Sequence, residues 1–366
     1  MKGMVLLPSE IMTPALVVDQ VRLERNLRAI ADSAAARGIR LRPHAKTHKT
    51  ANIGRRQLDL GATGLTVATI GEAEAFADAG VTDLFVAYPL WPSAARLSRL
   101  QALAERVRLR LAADSPTAAG RLAPLSLCAR PPEILVEIDS GHHRTGIPPD
   151  QARDVALATA RAGLPVVGVF TFPGHSYAPG ARESAATEEA IALSVAGAAL
   201  RSAGVIDAER AERSGGSTPT ALLHADPPVT ELRPGVYVFY DAQQLELGVC
   251  RSEQIALAAA ATVVSRPGRE RMVLDCGSKV LGADRQPWST GFGRLPGWPD
   301  ARVVALSEHH ATVTLPAGTS GPDLGDVVAV VPNHVCAAVN LANELLVVRD
   351  GTVIDTWPVM ARGANS

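Results

Sequence analysis

The stretch RLRPHAKTHK, Arg40 to Lys49, crowds basic and imidazole side chains into a short run. In an extended segment side chains alternate with a period of two, which predicts Arg42, His44 and Lys46 on one face. An ammonium turned inward must find a partner or lose its charge, because burying it alone costs several kcal/mol. A lysine desolvated into its amine form is what Schiff-base chemistry requires. The same run also reads as a solvated basic edge strand, so the choice depends on what the rest of the chain supplies.

Four other stretches bear on that choice. SGGSTPT, Ser214 to Thr220, sets two glycines before Ser, Thr and a Pro that can open a helix, a backbone nest suited to phosphate or a plain turn. Together with Lys46 it implies a phosphorylated carbonyl compound, and pyridoxal phosphate fits that description. In EIDSGHHRTG, Arg144 follows an apolar run and either bonds the cofactor's phenolic oxygen or stands as a surface cation. FPGHSY brings His175, Ser176 and Tyr177 to the end of another apolar run, as site residues or as a polar loop. VPNHVCAAVN places His334 and Cys336 at i and i+2 of an expected strand, on one face. Imidazole with thiolate favours zinc, with manganese the second candidate. Two protein ligands leave positions open for water and substrate, as a catalytic ion needs, and Glu308 or His309 of SEHH are candidates to assist.

These residues need a scaffold. From Arg40 the sequence alternates apolar runs (RLRPHAK, GLTVAT, DLFVAYP, VRLRLAAD, EILVEID, VVGVFTF, a weak one at ERSGG, ELRPGVYVFYD) with Ala/Leu/Arg-rich helical stretches. That repeat predicts a parallel (β/α)8 barrel ending near Asp241, with functional side chains at the C-terminal ends of its strands. An earlier helix is expected over VRLERNLRAIADSAAARG, with Leu23, Leu27, Ile30, Ala31 and Ala34 on one face. Past Gly248 come short Val-rich strands between Gly, Pro and Asp turns, including an RDGT hairpin, which predict an all-β domain. The expected domains are a barrel over 20–245 and a β domain over 1–19 plus 246–366.

Composition narrows the function classes. The 366 residues are 47% hydrophobic and 20% charged with a net charge of −1, which suits a globular core and argues against a nucleic-acid partner. No apolar run approaches the roughly 20 residues that span a bilayer, so no membrane role is expected. MKGMVLLPSEIMTP is too weakly apolar for a secretory signal, and a cytoplasmic location is expected. Cys128, Cys250, Cys276 and Cys336 form no CxxC pair, which excludes a four-cysteine zinc site.

Taken in order, TPALVVD, RPHAKTHK, EIDSGHHRTG, GGSTPT, ELRPGVYVFYDAQQ and PNHVCAAVN resemble the pyridoxal-phosphate enzymes of the alanine-racemase-like barrel class. They are most similar to the branch holding D-threonine aldolase and the metal-dependent D-serine and D-threo-3-hydroxyaspartate dehydratases. The resemblance implies that Lys46 is the Schiff-base lysine and that Gly216, Ser217 and Thr218 hold the phosphate, with Tyr240 as a contributor. It implies Arg144 at the phenolic oxygen, Tyr177 in the cofactor pocket, and His334 and Cys336 as metal ligands. It also implies that the N-terminal strand joins the β domain, and that the enzyme is a homodimer.

Within that branch HVC and GGSTPT read like the dehydratases, whereas LLVVRDGTVIDTWPVMARG reads like the aldolases. The expected reaction is loss of water from a D-3-hydroxy amino acid to an aminoacrylate-type product, which hydrolyses to an oxo acid and ammonia. Lys46 would remove the α-proton, with His44 as a proton relay or a structural hydrogen bond, and the metal would assist departure of the hydroxyl. The alternatives are retro-aldol cleavage to glycine and an aldehyde, a non-catalytic cofactor carrier, and a racemase. Tyr88, Tyr177, Tyr237 and Tyr240 all lie outside 246–366, which argues against a racemase needing a β-domain tyrosine.

Overall fold

The computed structural model describes residues 5–8, 10–206, 211–223 and 228–366. The chain forms two compact units. One comprises Ile30–Lys46, Ile53–Gly235 and Ala364–Ser366, and the other Met1–Ala29, Thr47–Asn52 and Val236–Gly363. Strand β1 (Ala15–Asp19) precedes the helix Gln20–Ala36, whose Leu23, Leu27, Ile30, Ala31 and Ala34 are buried at the expected spacing.

The first unit is the barrel. Its strands are β2 (Arg40–Leu41), β3 (Leu65–Val67), β4 (Asp83–Pro89), β5 (Arg108–Ala113), β6 (Glu133–Glu137), β7 (Val166–Phe170), β8 (Glu212–Gly215) and β9 (Glu231–Leu232). All pair in parallel in the order β2-β9-β8-β7-β6-β5-β4-β3, and a parallel bridge from His44 to Thr66 joins the two ends of that order. Every expected barrel strand is present, including the polar β8, whose backbone is satisfied by β7 on one side and β9 on the other.

The expected face shared by Arg42, His44 and Lys46 is not formed. β2 stops at Leu41 and Lys46 lies in the 3-10 turn Ala45–Thr47. Pro43 cannot donate to a ladder, which ends the strand early. Arg42 turns into the barrel and donates to Glu231 (2.8 Å) and Asp83, while Arg110 reaches Glu231 (3.3 Å), Glu212 (3.4 Å) and Glu133 (3.0 Å). Burial works to raise the Glu231 carboxyl, but Arg42 and Arg110 hold it below its ordinary value. A side chain on Gly64 would put its Cβ 2.3 Å from the Arg42 guanidinium, so this buried arginine needs glycine there. Phe85, Ala112, Leu135 and Phe170 fill an adjoining core, with Phe85 and Phe170 edge to face at 5.0 Å.

The second unit is built on β1 with β10 (Leu257–Ser265), β11 (Arg271–Leu274), β12 (Gly293–Arg294), β13 (Arg302–Leu306), β14 (Ala311–Thr314), β15 (Val327–Pro332), β16 (Glu344–Arg349) and β17 (Thr352–Pro358). The sheet runs β13-β14-β11-β10-β1-β16-β17, with β15 pairing β10 and β12. β1 therefore enters this sheet as implied, antiparallel to β10 and parallel to β16. The RDGT hairpin joins β16 to β17 with Asp350 at φ 51° and Gly351 at φ 76°, the left-handed pair a tight two-residue turn demands. Among the described residues no helix is long and apolar enough to cross a membrane.

Candidate functional site

In the barrel unit, His44, Lys46, Tyr88, Arg144, Phe172 and Arg233 help line a cavity of about 310 Å³, within the range of small-ligand sites. The Phe172 ring organises it. Lys46 Nζ stands 5.9 Å from the ring centroid, Arg144 Cζ 5.2 Å, and the His142 and Tyr177 rings pack at 5.6 and 6.2 Å. Cations over an aromatic face are held at roughly 0.5–2 kcal/mol apiece without losing their charge to a counter-ion. Phe172 escaped the sequence reading because FPGHSY advertises its polar residues, whereas the shared ring emerges only from tertiary packing.

Arg233 was also missed, although it sits in the quoted ELRPGVYVFYD. Its guanidinium is buried, lies 5.1 and 5.7 Å from the Phe170 and Phe85 ring centroids, and donates to Ser214 Oγ (2.9 Å) and the Thr171 carbonyl. Burial lowers its pKa, opposed by the charges of Glu231, Glu189 and Glu137. Glu137, at the end of β6, accepts from Thr145 Oγ1 (2.9 Å) through one oxygen, while the other is buried without a hydrogen-bond partner. Burial pushes this carboxyl up to about 7 despite Thr145, Arg144 and Arg233, with Asp114 adding to the rise.

Gly216, Ser217 and Thr218 follow β8 and do not line that cavity. Gly216 has φ +80°, and a Cβ there would meet Leu232 at 2.7 Å, so the turn requires glycine. The expected amide nest is partly spoken for. Gly216 N–H donates to Glu189 (2.6 Å) and Ser217 N–H to Thr220 Oγ1 (2.9 Å). The loop is rich in hydroxyls instead: Ser217 Oγ contacts Ser176 Oγ at 2.9 Å and Thr220 Oγ1 at 3.1 Å. Hydroxyls rotate to suit an anion, so the loop suits a phosphate through side chains more than through these two amides. Its bond to Ser176 ties it to the turn carrying His175 and Tyr177. His175 Nε2 itself lies 2.9 Å from Glu188. A cavity of this size with Lys46 and Arg144 at its wall suits pyridoxal phosphate.

The metal candidates belong to the other unit. His334 and Cys336 are not on a strand: β15 ends at Pro332, His334 caps the helix Val335–Leu341, and Cys336 lies in its first turn. The i, i+2 pair is therefore brought together by a helical turn. Asp241 Oδ2 lies 3.6 Å from His334 Nδ1 and accepts the Val335 N–H at 3.2 Å, while Oδ1 accepts the Gln244 N–H at 2.9 Å. The Cys336 thiol bonds to the buried Thr47 hydroxyl at 3.2 Å. Burial opposes a charge on His334, yet the Cys336 sulfur and Asp241 raise its pKa well above the ordinary value. Imidazole and thiol side by side are a donor set that fits zinc. Among the described residues no group of three or more His, Cys, Asp or Glu is placed to hold an ion. Glu308 and His309, the expected helpers, engage Lys279 at the surface instead.

Tyr240 also falls in this unit, buried, with φ 52° and its phenol pushed up to about 12 by burial and by Cys250. Tyr237 is buried in the same unit. A tyrosine so enclosed is a poor acid or base for a racemase.

Comparison with known proteins agrees with the motifs. Residues 18–243 match the model of the alanine racemase N-terminal domain, and residues 256–348 that of a putative serine dehydratase domain. The chain is 35% identical over 351 residues to the D-threo-3-hydroxyaspartate dehydratase of Delftia sp. (strain HT23), spanning 89% of this chain and 91% of that protein. It is 33% identical over 360 residues to a D-threonine aldolase of Arthrobacter sp, spanning 96% and 93%. The crystal structure of D-threonine aldolase from Filomicrobium marinum superposes with a TM-score of 0.87 at 30% identity over 99% of both chains. The chain belongs to the alanine racemase N-terminal domain family, in the branch of pyridoxal-phosphate-dependent lyases that includes these dehydratase and aldolase relatives.

Proposed function

We propose that this lyase removes water from a D-3-hydroxy amino acid, leaving an aminoacrylate-type product that takes up water on hydrolysis to give an oxo acid and ammonia. The observation that carries the reading is the adjacent imidazole and thiol of His334 and Cys336, a donor pair suited to zinc. Hydroxide is a poor leaving group, so a Lewis acid at the substrate's β-oxygen has a clear task in this reaction. When bound, pyridoxal phosphate supplies a sink for the electrons left at Cα, and the metal supplies the Lewis acid.

The remaining tasks fall to the chain's own residues. Lys46 would hold the cofactor, and its free amine would take the α-proton on Nζ. Phe172 holds that amine at the cavity wall, and Arg144 on the same ring donates to the cofactor's phenolic oxygen. Ser217 and Thr218 would bind the phosphate through their hydroxyls with Gly216 shaping the turn, and Tyr177 would line the cofactor's surroundings. His44 relays protons beside Lys46, whose cavity it shares. On this reading 20–245 is the cofactor domain, 1–19 with 246–366 carries the metal residues, and the enzyme works as a cytoplasmic homodimer.

A second reading, retro-aldol cleavage, is favoured by the aldolase-like tail from Leu345 to Gly363. Incubating zinc-loaded holoenzyme separately with D-serine, D-threonine and D-threo-3-hydroxyaspartate separates the two. Ammonia in step with oxo acid is expected; glycine with an aldehyde as the main product from D-threonine would overturn the dehydratase reading.

A further inference from the structure

We propose that Asp241 and Thr47 are positioning residues for the metal centre: Asp241 fixes the tautomer of His334 and Thr47 fixes the sulfur of Cys336. The inference rests on His334 and Cys336 being metal ligands, as proposed above. Its basis is the arrangement of hydrogen bonds around a single buried carboxylate.

Asp241 has one oxygen committed to the Gln244 N–H, capping the helix Ala242–Glu246, and the other directed at the Val335 N–H. A carboxylate pinned at both ends cannot swing away, and Asp241 is fully buried. Its Oδ2 faces the Nδ1 side of His334. At 3.6 Å this contact is longer than a hydrogen bond, but a carboxylate can only accept, so it selects the tautomer protonated on Nδ1. That leaves the Nε2 lone pair for an ion. Carboxylates facing the non-ligating nitrogen orient imidazole ligands generally, and loss of such a partner typically weakens metal binding about 10–100-fold. The Val335 N–H precedes Cys336 in the same turn, so the carboxylate that orients one ligand also fixes the backbone of the other.

Thr47 completes the arrangement from the opposite ligand. Its hydroxyl is buried against the Cys336 sulfur at 3.2 Å. In the free protein the thiol donates to it; toward a thiolate the same hydroxyl turns to donate. Neither residue could be picked out from sequence, since Thr47 stands 289 positions from its sulfur and Asp241 94 positions from the amide it anchors.

The decisive substitution is Asp241→Asn. Asparagine retains the helix cap through its oxygen, but its amide nitrogen then faces Nδ1 and Val335 N–H. An amide N–H directed at Nδ1 moves the ring proton to Nε2, the nitrogen the ion requires. The test is zinc retention by the pyridoxal-phosphate-loaded protein against a graded chelator, with Thr47→Val, His334→Ala and Cys336→Ala alongside. About 10–100-fold weaker zinc binding is expected for Asp241→Asn and a smaller loss for Thr47→Val, with the bound-cofactor absorbance unchanged. If His334→Ala and Cys336→Ala abolish zinc binding while Asp241→Asn and Thr47→Val hold it like the unaltered protein, the positioning roles are wrong and the ligands stand. If His334→Ala and Cys336→Ala retain zinc, the ligand assignment and this inference both fall. A measurement free of substitution uses ¹⁵N-histidine labelling of the zinc-loaded protein: His334 protonated on Nδ1 and bound through Nε2 is expected, and the reverse overturns the proposal.

Discussion

Glu137 in the barrel unit is buried and His334 in the β unit half-buried, and both have raised pKa values, for opposite reasons. At Glu137 burial dominates and favours the neutral carboxyl, even with Arg144 and Arg233 among the charges acting on it. At His334 burial is outweighed by the Cys336 sulfur and Asp241, which favour the charged imidazole. Burial also lowers the pKa of the neighbouring Arg233 guanidinium, opposed by Glu231, Glu189 and Glu137, and it stays charged. One region thus holds a carboxyl that burial keeps toward its neutral form, and the other an imidazole that its neighbours keep toward its charged form. A site of the first kind gains most from a ligand that brings its own charges, such as a phosphate and a carboxylate. A site of the second kind accepts a cation where a proton would otherwise sit.

The largest test of this contrast removes the amine. Lys46→Ala should lower turnover by at least about 10³-fold while leaving zinc retention at its original level. Borohydride reduction of the unaltered protein, followed by peptide mass analysis, should find the cofactor adduct at residue 46. Loss of zinc together with the lysine would show that the two regions do not load independently.

The reverse experiment is the next largest. Stripping the metal with a chelator, or substituting Cys336→Ala, should cut elimination about 10²-fold while the bound-pyridoxal absorbance persists. Restored zinc should recover the stripped enzyme but not the substituted one. Unchanged elimination in the stripped protein would deprive the β unit of its proposed chemical role.

The two regions also differ in how far their sequences announced them. Lys46, His334 and Cys336 stand out as candidates because amines, imidazoles and thiols are chemically distinctive and lie in short runs. The eight barrel strands were readable from apolar runs spaced by helical ones, even where β8 offered only ERSGG, since the repeat fixed where a strand must fall. What could not be read was direction. Pro43 ended β2 early and Arg42 found carboxylates on β4 and β9, so a period-two pattern did not survive. His334 and Cys336 share a helical turn, because β15 stopped at Pro332. The Gly216 amide looked open to phosphate until Glu189, from a helix 27 residues earlier, was found against it. For Arg42 and Gly216 the deciding partner is remote in sequence, where no local pattern encodes it.

Glu137→Gln measures the burial term directly. Below pH of about 4.5 this carboxyl is protonated in both folded and unfolded chains and costs nothing. As pH rises toward about 7 the unfolded chain releases the proton and the folded one keeps it, so stability is lost; above that the loss is constant. The full penalty is about 3 kcal/mol. Glutamine has no such proton, so the stability of the variant relative to the unaltered protein should improve between pH 4 and 8 by up to that amount. Denaturant unfolding across the range measures it, and a difference that stays flat with pH would mean that Glu137 is not held neutral in the fold.

The smallest effect is expected at Phe172, where it separates the roles of ring and bulk. Phe172→Leu keeps an apolar side chain at the cavity wall but removes the face shared by Lys46 and Arg144. Neither cation contact exceeds the usual value for a solvent-accessible pair, so the combined loss should be about 1 kcal/mol, near a fivefold weaker hold on pyridoxal phosphate. Phe172→Tyr preserves the face and should bind as the unaltered protein does. Zinc affinity should not move in either variant. Equal cofactor affinity in the leucine and tyrosine variants would show that Phe172 serves only to fill space, and that Lys46 and Arg144 are positioned by their own backbone turns.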